Sequence, residues 1–211
     1  MPNLVLLRHG ESQWNLENRF TGWVDIPLSP KGEMEANQAG EKLKGYKFDK
    51  GYTSVLRRAI DTMDIVLNII DQKNLPLERD KALNERHYGA LQGLNKADIG
   101  KQYGDDQLKI WRRSYDVPPP KAVTDLNPDG MSESLKDTAA RTLPYFDAKI
   151  IPDILAGKNV LVAAHGNSLR SIVMQLDNLT KEQVVELNIP TGVPLLYVYD
   201  SKGNITEHRY L

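Results

Sequence analysis

Two stretches decide the fold: Leu4-Val5-Leu6-Leu7-Arg8-His9-Gly10-Glu11-Ser12 near the start, and Val160-Leu161-Val162-Ala163-Ala164-His165-Gly166-Asn167-Ser168 late in the chain. Each is a short continuous apolar run, which predicts a buried strand, and each run delivers a His and then a Gly. In open α/β sheets, ligands bind outside the carboxyl ends of the strands, so each His is expected at that edge. The Gly would let backbone approach a ligand, and the Asn or Ser beyond it can cap a helix whose N-terminus attracts anions. One such His is ordinarily a satisfied polar group at a strand end. Two in matching contexts favour a functional pair.

Around these strands the pattern alternates between helix and strand. Ser29-Pro30 predicts an N-cap followed by Pro in the first turn, with Ala36, Ala39, Gly40 and Leu43 at helical spacing. Strands are expected over residues 48–53 and 75–79, and a helix over 55–71 with Ala59, Met63, Val66 and Ile70 as its apolar stripe. Residues 96–115 read as helix with a break near Gly104, stopped by Pro118-Pro119-Pro120. Residues 133–155 read as helix with kinks or ends at Pro144 and Pro152, and 168–176 as another helix. Residues 194–199 and 205–210, around Asp200-Ser201-Lys202-Gly203, predict a closing hairpin. The expected fold is a single α/β domain over residues 1–211. It is a three-layer sandwich whose mostly parallel sheet has helices on both faces and one antiparallel edge strand.

Composition narrows the function classes. Hydrophobic residues make up 40% and charged residues 26% of the chain, the balance of a globular protein. Lys and Arg number 27 against 28 for Asp and Glu, so no global basic charge serves nucleic acid or an acidic membrane. The absence of Cys excludes disulfides, zinc thiolates and a Cys nucleophile. It fits a reducing compartment, and the expected location is cytoplasmic. The apolar start at Met1 to Leu7 is cut short by Arg8, so neither a secretory signal nor a membrane span is expected.

Phosphate-loop and dinucleotide glycine patterns are absent, and the two His lie in no metal-ligand spacing. A serine hydrolase is a weaker alternative, because neither Gly10-Glu11-Ser12 nor Gly166-Asn167-Ser168 carries the closing Gly of a nucleophile elbow. A His can itself be a covalent nucleophile, and phosphoryl transfer to it needs positive charge around three oxygens. Arg binds phosphate bidentately, and Arg8, Arg57-Arg58, Arg86 and Arg112-Arg113 are the candidates. Each alone would read as surface charge; their coincidence with two His-Gly turns favours a site. Glu85 is the candidate general acid, although spacing does not single it out.

These residues resemble the histidine phosphatase superfamily, marked by the Arg-His-Gly at 8–10 and a second His-Gly late in the chain. Longer segments resemble the cofactor-dependent phosphoglycerate mutases within it: residues 7–15, 20–25, 83–93 (Leu-Asn-Glu-Arg-His-Tyr-Gly-Ala-Leu-Gln-Gly), 112–120 (Arg-Arg-Ser-Tyr-Asp-Val-Pro-Pro-Pro), 164–170 and 187–194. The resemblance implies that His9 is phosphorylated and that Glu85 gives and takes the proton. It implies that Arg8, Arg58 and His165 complete the phosphate pocket, with Ser12, Asn15 and Gly166 beside them. Substrate would also meet Thr21, Gly22, Arg86, His87, Tyr88, Lys96, Arg112, Arg113 and Asn167. The implied reaction interconverts 3-phosphoglycerate and 2-phosphoglycerate, primed by 2,3-bisphosphoglycerate and using no metal.

The chain departs from that family in two places. Only residues 121–132 separate Pro120 from Glu133-Ser134, where members often carry a longer loop, and the sequence stops at Leu211, where many have a tail over the site. The missing tail implies easier water entry and hence side phosphatase activity, with bisphosphoglycerate synthase as a further side activity, and the shortened loop implies a monomer or weak dimer. A phosphomonoesterase with the same nucleophile and a non-catalytic phospholigand-binding protein are the competing readings.

Overall fold

The computed structural model describes all 211 residues. Six strands form one sheet: β1 (Asn3–Arg8), β2 (Lys50–Thr53), β3 (Leu77–Arg79), β4 (Val160–Ala164), β5 (Leu195–Tyr199) and β6 (Ile205–Tyr210). Their order is β3-β2-β4-β1-β5-β6. β3, β2, β4 and β1 are mutually parallel. β5 runs antiparallel to β1, and β6 antiparallel to β5, so the antiparallel edge is a hairpin.

Nine helices surround the sheet: α1 (Gln13–Leu16), α2 (Pro30–Lys42), α3 (Arg57–Ile69), α4 (Lys96–Tyr103), α5 (Asp105–Arg113), α6 (Leu135–Tyr145), α7 (Ile151–Leu155), α8 (Gly166–Leu176) and α9 (Lys181–Glu186). The two central strands are buried on both faces, which is why they read as unbroken apolar runs. Alternate residues serve different layers. Leu4, Leu6, Val160, Val162 and Ala164 join Phe146, Ile150, Ile172 and Tyr197 in the larger core. Val5, Leu7, Leu161 and Ala163 join Ala39, Met63 and Val66, from α2 and α3, in the second. Ser29 caps α2 through its hydroxyl, with Pro30 in the first turn as its ring geometry favours. Gly104, at φ +87°, breaks α4 from α5.

Pro144 and Pro152 do not end the long helical stretch. A wider π-type turn over Phe146–Ile150 links α6 to α7, and it turns Phe146 and Ile150 fully into the core. No helix is long and apolar enough to cross a membrane.

Gly10 serves packing inside the protein. A Cβ there would lie 2.1 Å from the carbonyl oxygen of Gly32 in the first turn of α2, and a Cβ on Gly32 would lie 2.0 Å from the Glu11 carbonyl oxygen. Two backbones meet with no room for a side chain, so the obstacle is main chain and cannot rotate away. Gly10→Ala is therefore expected to destabilise the fold by about 2 kcal/mol or more. In a chain of this size that lowers the melting temperature by roughly 5 °C, and an unchanged melting temperature would contradict the packing argument.

Candidate active site

β1 and β4 are neighbours in parallel register, with Arg8 opposite Ala164. The next residue of each strand is a His, so the two imidazoles must emerge side by side. Their ring centroids lie 5.0 Å apart, edge to face, and His9 N donates to Ala164 O at 3.0 Å. His9 Nδ1 lies 2.6 Å from Gly10 O. A carbonyl only accepts, so Nδ1 carries the proton and Nε2 keeps its lone pair. Burial, followed by the positive charges of Arg58 and Arg8, holds His9 well below the ordinary imidazole range. His9 is thus a neutral imidazole with Nε2 free, as a nucleophile requires.

His165 is fully buried beside it. Burial and then Arg58 and His9 depress its basicity well below the usual value. Ser54 Oγ lies 2.7 Å from His165 Nε2, while Nδ1 has no partner. Both imidazoles therefore stay neutral in the fold and become protonated on unfolding. The unfolded chain binds more protons below about pH 6.5, so stability is complete above that pH and falls as acid is added. The expected slope is on the order of 1.4 kcal/mol per pH unit for each of the two histidines. Urea unfolding across about pH 7 to 5 checks this, and a flat stability over that range would contradict it.

A cavity of about 210 Å³ opens above His9. Seven cations line it (Arg8, Arg19, Arg58, Lys96, Arg112, Arg113 and Arg170) against a single carboxylate, Glu85. Arg58, from the first turn of α3, is 1% exposed and donates to Gly22 O at 2.7 Å and Val24 O at 3.0 Å. Burial lowers its pKa to about 10, so it remains a cation at neutral pH. Arg8 donates to Ile189 O at 2.8 Å, yet its Nε is buried without a partner, as is Thr21 Oγ1. Buried donors without acceptors are costly, and at a cation-lined cavity they fit an anionic ligand that supplies the acceptors. Asn15 Oδ1 accepts from Ser12 N at 3.0 Å, which leaves its amide donor for the cavity it lines.

Glu85 is 8% exposed. Its Oε1 accepts from Arg86 N at 2.7 Å, Asn167 Nδ2 at 2.9 Å and Asn167 N at 3.2 Å. Burial pushes its pKa up, but these donors and the charges of Arg58 and Arg8 outweigh it, and the carboxyl ends below its ordinary value. Its Oε2 makes no hydrogen bond within the protein and lies 3.7 Å from where a Cβ on Gly166 would sit. The segment carrying Glu85 is held from behind. Trp23 Nε1 donates to Glu85 O at 2.5 Å, and Arg141 donates to the carbonyls of Asn84 and Glu85 while forming a two-pronged pair with Glu133.

The cavity gathers most of the residues singled out from the sequence: Arg8, His9, Asn15, Thr21, Gly22, Arg58, Glu85, Tyr88, Lys96, Arg112, Arg113, Gly166 and Asn167. Ser12, Arg86 and His87, expected as substrate contacts, do not line it, and His165 sits behind His9. Ser12 is fully buried, capping α1 by accepting from Asn15 N. Arg86 is turned under the Tyr88 ring and donates to the Trp111 and Arg112 carbonyls, 3.0 Å each, at the end of α5. It thereby anchors the helix that carries Arg112 and Arg113. His87 packs edge-on against Trp23, and its Nδ1 accepts from Gly89 N at 3.1 Å. Of the Arg57-Arg58 pair, Arg57 stays outside, beside Asp25 and Asp61.

Arg19, Phe20, Arg170 and Asn188 line the cavity without having been singled out. Arg170 had a legible signal, since it follows Asn167 by three residues and so shares its face of α8. No three His, Asp or Glu side chains converge to hold a metal ion.

Known proteins share this architecture. Residues 4–209 match the histidine phosphatase superfamily (branch 1). A mycobacterial glucosyl-3-phosphoglycerate phosphatase, solved with VO3, is 26% identical; the match covers 100% of this chain and 97% of that one, with a TM-score of 0.77. A phosphoglycerate mutase from Bacillus anthracis str. Sterne is also 26% identical over 97% of this chain and 90% of that one, with a TM-score of 0.74. YhfR from Bacillus stearothermophilus is 25% identical over 97% and 94%, with a TM-score of 0.78. Paired imidazoles at the ends of the two central parallel strands, with a family match running almost the length of the chain, place it in one lineage: the chain belongs to branch 1 of the histidine phosphatase superfamily.

Proposed function

We propose that the chain is a phosphoglycerate mutase that interconverts 3-phosphoglycerate and 2-phosphoglycerate through a phosphorylated His9. The observation that carries this reading is the charge of the cavity: seven cations and one carboxylate, in a chain whose net charge is -1. Arg8 and Arg58 flank His9 and serve one phosphate. Lys96, Arg112, Arg113 and Arg170 come from α4, α5 and α8, and supply far more charge than a single phosphate monoester needs. A three-carbon frame bearing a phosphate and a carboxylate meets both groups at once.

His9 Nε2 attacks the phosphorus in line with the departing ester oxygen; the P–O bond breaks as the P–N bond forms. Glu85 Oε2 gives the departing oxygen its proton. In the reverse direction Glu85 takes the proton of the attacking hydroxyl, and its ionised resting state suits that step. Binding of a phosphate beside Arg8 and Arg58 offsets the charges that hold Glu85 ionised, so its carboxyl takes up a proton more readily when substrate is present and has one to give to the departing oxygen. Arg58, which lines the cavity, stabilises charge on the phosphoryl oxygens in transit. The cations at the far end keep the second anionic group bound while the two oxygens exchange places against His9.

2,3-Bisphosphoglycerate fits as the primer that supplies the first phosphoryl group. The unpartnered Arg8 Nε and Thr21 Oγ1 and the two cation groups would hold it.

One feature favours a second reading, a phosphatase of phosphoglycerate-type esters. No residue of α5 is buried, so the helix carrying Arg112 and Arg113 closes the cavity only loosely, and loose closure admits the water that hydrolyses a phosphohistidine. Specificity constants separate the two readings. On the mutase reading, isomerisation of 3-phosphoglycerate is expected to exceed hydrolysis of glucosyl-3-phosphoglycerate by about two orders of magnitude. The reverse ranking would overturn the mutase.

A further inference from the structure

Arg170 is a buried cation whose bonds reach the proton-transfer group through one intermediary. It is 9% exposed on α8, and burial lowers its pKa to about 10. Its Nε donates to Leu187 O at 2.7 Å, which ties α8 to the segment after α9. Its Nη1 donates to Asn167 Oδ1 at 3.3 Å. The other end of the same amide, Asn167 Nδ2, donates to Glu85 Oε1 at 2.9 Å.

An amide side chain can turn over and exchange its oxygen for its nitrogen with little change in shape. Arg only donates, so the atom facing Arg170 must be the oxygen. That leaves the nitrogen facing Glu85. Glu85 Oε1 then meets three N–H donors and has no room for a proton, while Oε2 has no partner in the protein.

We propose that Arg170 is a positioning residue for proton transfer: by fixing the orientation of the Asn167 amide it reserves Glu85 Oε1 for N–H donors and leaves Oε2, toward Gly166, as the atom that carries the proton. The inference rests on the proposed role of Glu85. Without Arg170 the amide is free to present its oxygen to a protonated Oε1, and the neutral carboxyl gains a partner that the intact site denies it. The charged and titratable side chains that face the carboxyl are Arg8 from β1, Arg58 from α3, Tyr88 from its own segment, Lys96 from α4 and Arg170 from α8.

The test is a carbon NMR titration of substrate-free protein labelled at the glutamate carboxyl carbons, with the Glu85 signal identified by its loss in Glu85→Gln. Arg170→Gln is expected to raise the Glu85 midpoint by about one pH unit, and to move the acid limb of kcat/KM with it. In an Asn167→Ala background the same substitution should shift the midpoint by less than half as much, because the intermediary is gone. Equal shifts in both backgrounds would mean that Arg170 acts through its charge alone, and would overturn the proposal.

Arg170→Lys keeps the charge and the helix, and it serves if the Gln variant does not fold. Its shorter reach cannot serve Leu187 O and Asn167 Oδ1 together, so the midpoint should still rise. A wild-type midpoint in that variant overturns the proposal. Glu85→Gln at full activity would instead remove the role of Glu85 on which the inference rests. Slow turnover in Glu85→Gln with an unmoved midpoint in the Arg170 variants would remove the inference alone.

Discussion

His9→Gln should lower isomerisation of 3-phosphoglycerate by about 10,000-fold or more, the scale seen when a covalent nucleophile is removed. Gln fills a similar volume and offers an amide oxygen and nitrogen, but neither forms a bond to phosphorus. The loss should appear in kcat, since Arg8, Arg58 and the far cations, proposed to hold the substrate, stay in place. Rapid mixing with labelled 2,3-bisphosphoglycerate should leave acid-labile, base-stable label on the intact protein and none on the variant. Label that persists in His9→Gln would place the phosphoryl group on another residue.

The second large effect is expected at Glu85. Glu85→Gln keeps shape and keeps an oxygen for the Arg86 and Asn167 N–H groups, but it puts an amide nitrogen where Oε2 stands. The proton carrier is lost and the framework stays. Turnover should fall by roughly 100- to 10,000-fold. Substrates whose leaving group departs without a proton, such as a nitrophenyl phosphate, should lose far less in the step that forms the phosphoenzyme. A uniform loss across leaving groups would mean that Glu85 positions the substrate and moves no proton.

Much of this architecture was legible in the sequence. The apolar runs before His9 and His165 read as strands because they lie at the centre of the sheet and meet no water on either face. Gly104 and Ser29-Pro30 marked helix boundaries through backbone chemistry alone. Elements held by tertiary contact were harder to read. α9 is a six-residue helix with only Val184 buried, and α1 is four residues with none, so neither carries a periodic stripe.

The site divides in the same way. Residue type identified the cations, but which of two adjacent arginines turns inward depends on helix phase. Arg58 faces the cavity and Arg57 faces solvent, one step apart on α3. Arg86 carried the right charge in the right segment, yet it is spent on the carbonyls at the end of α5. The sequence pattern at Gly10 suggests room for a ligand, but its close neighbour is the backbone of Gly32, brought there from another element. Arg141 carries no signal in the sequence, because its four carbonyl partners and the Glu133 carboxylate are brought around one guanidinium only by folding.

On the proposed mechanism His9 passes a phosphoryl group between two oxygens of one phosphoglycerate and withholds it from water. Phosphorus NMR of 3-phosphoglycerate with the protein, with and without a trace of 2,3-bisphosphoglycerate, separates transfer between the two oxygens from transfer to water. The 2-phosphoglycerate signal is expected to grow only when the trace is present, with inorganic phosphate accumulating far more slowly. Inorganic phosphate as the main product, with or without the trace, would contradict it.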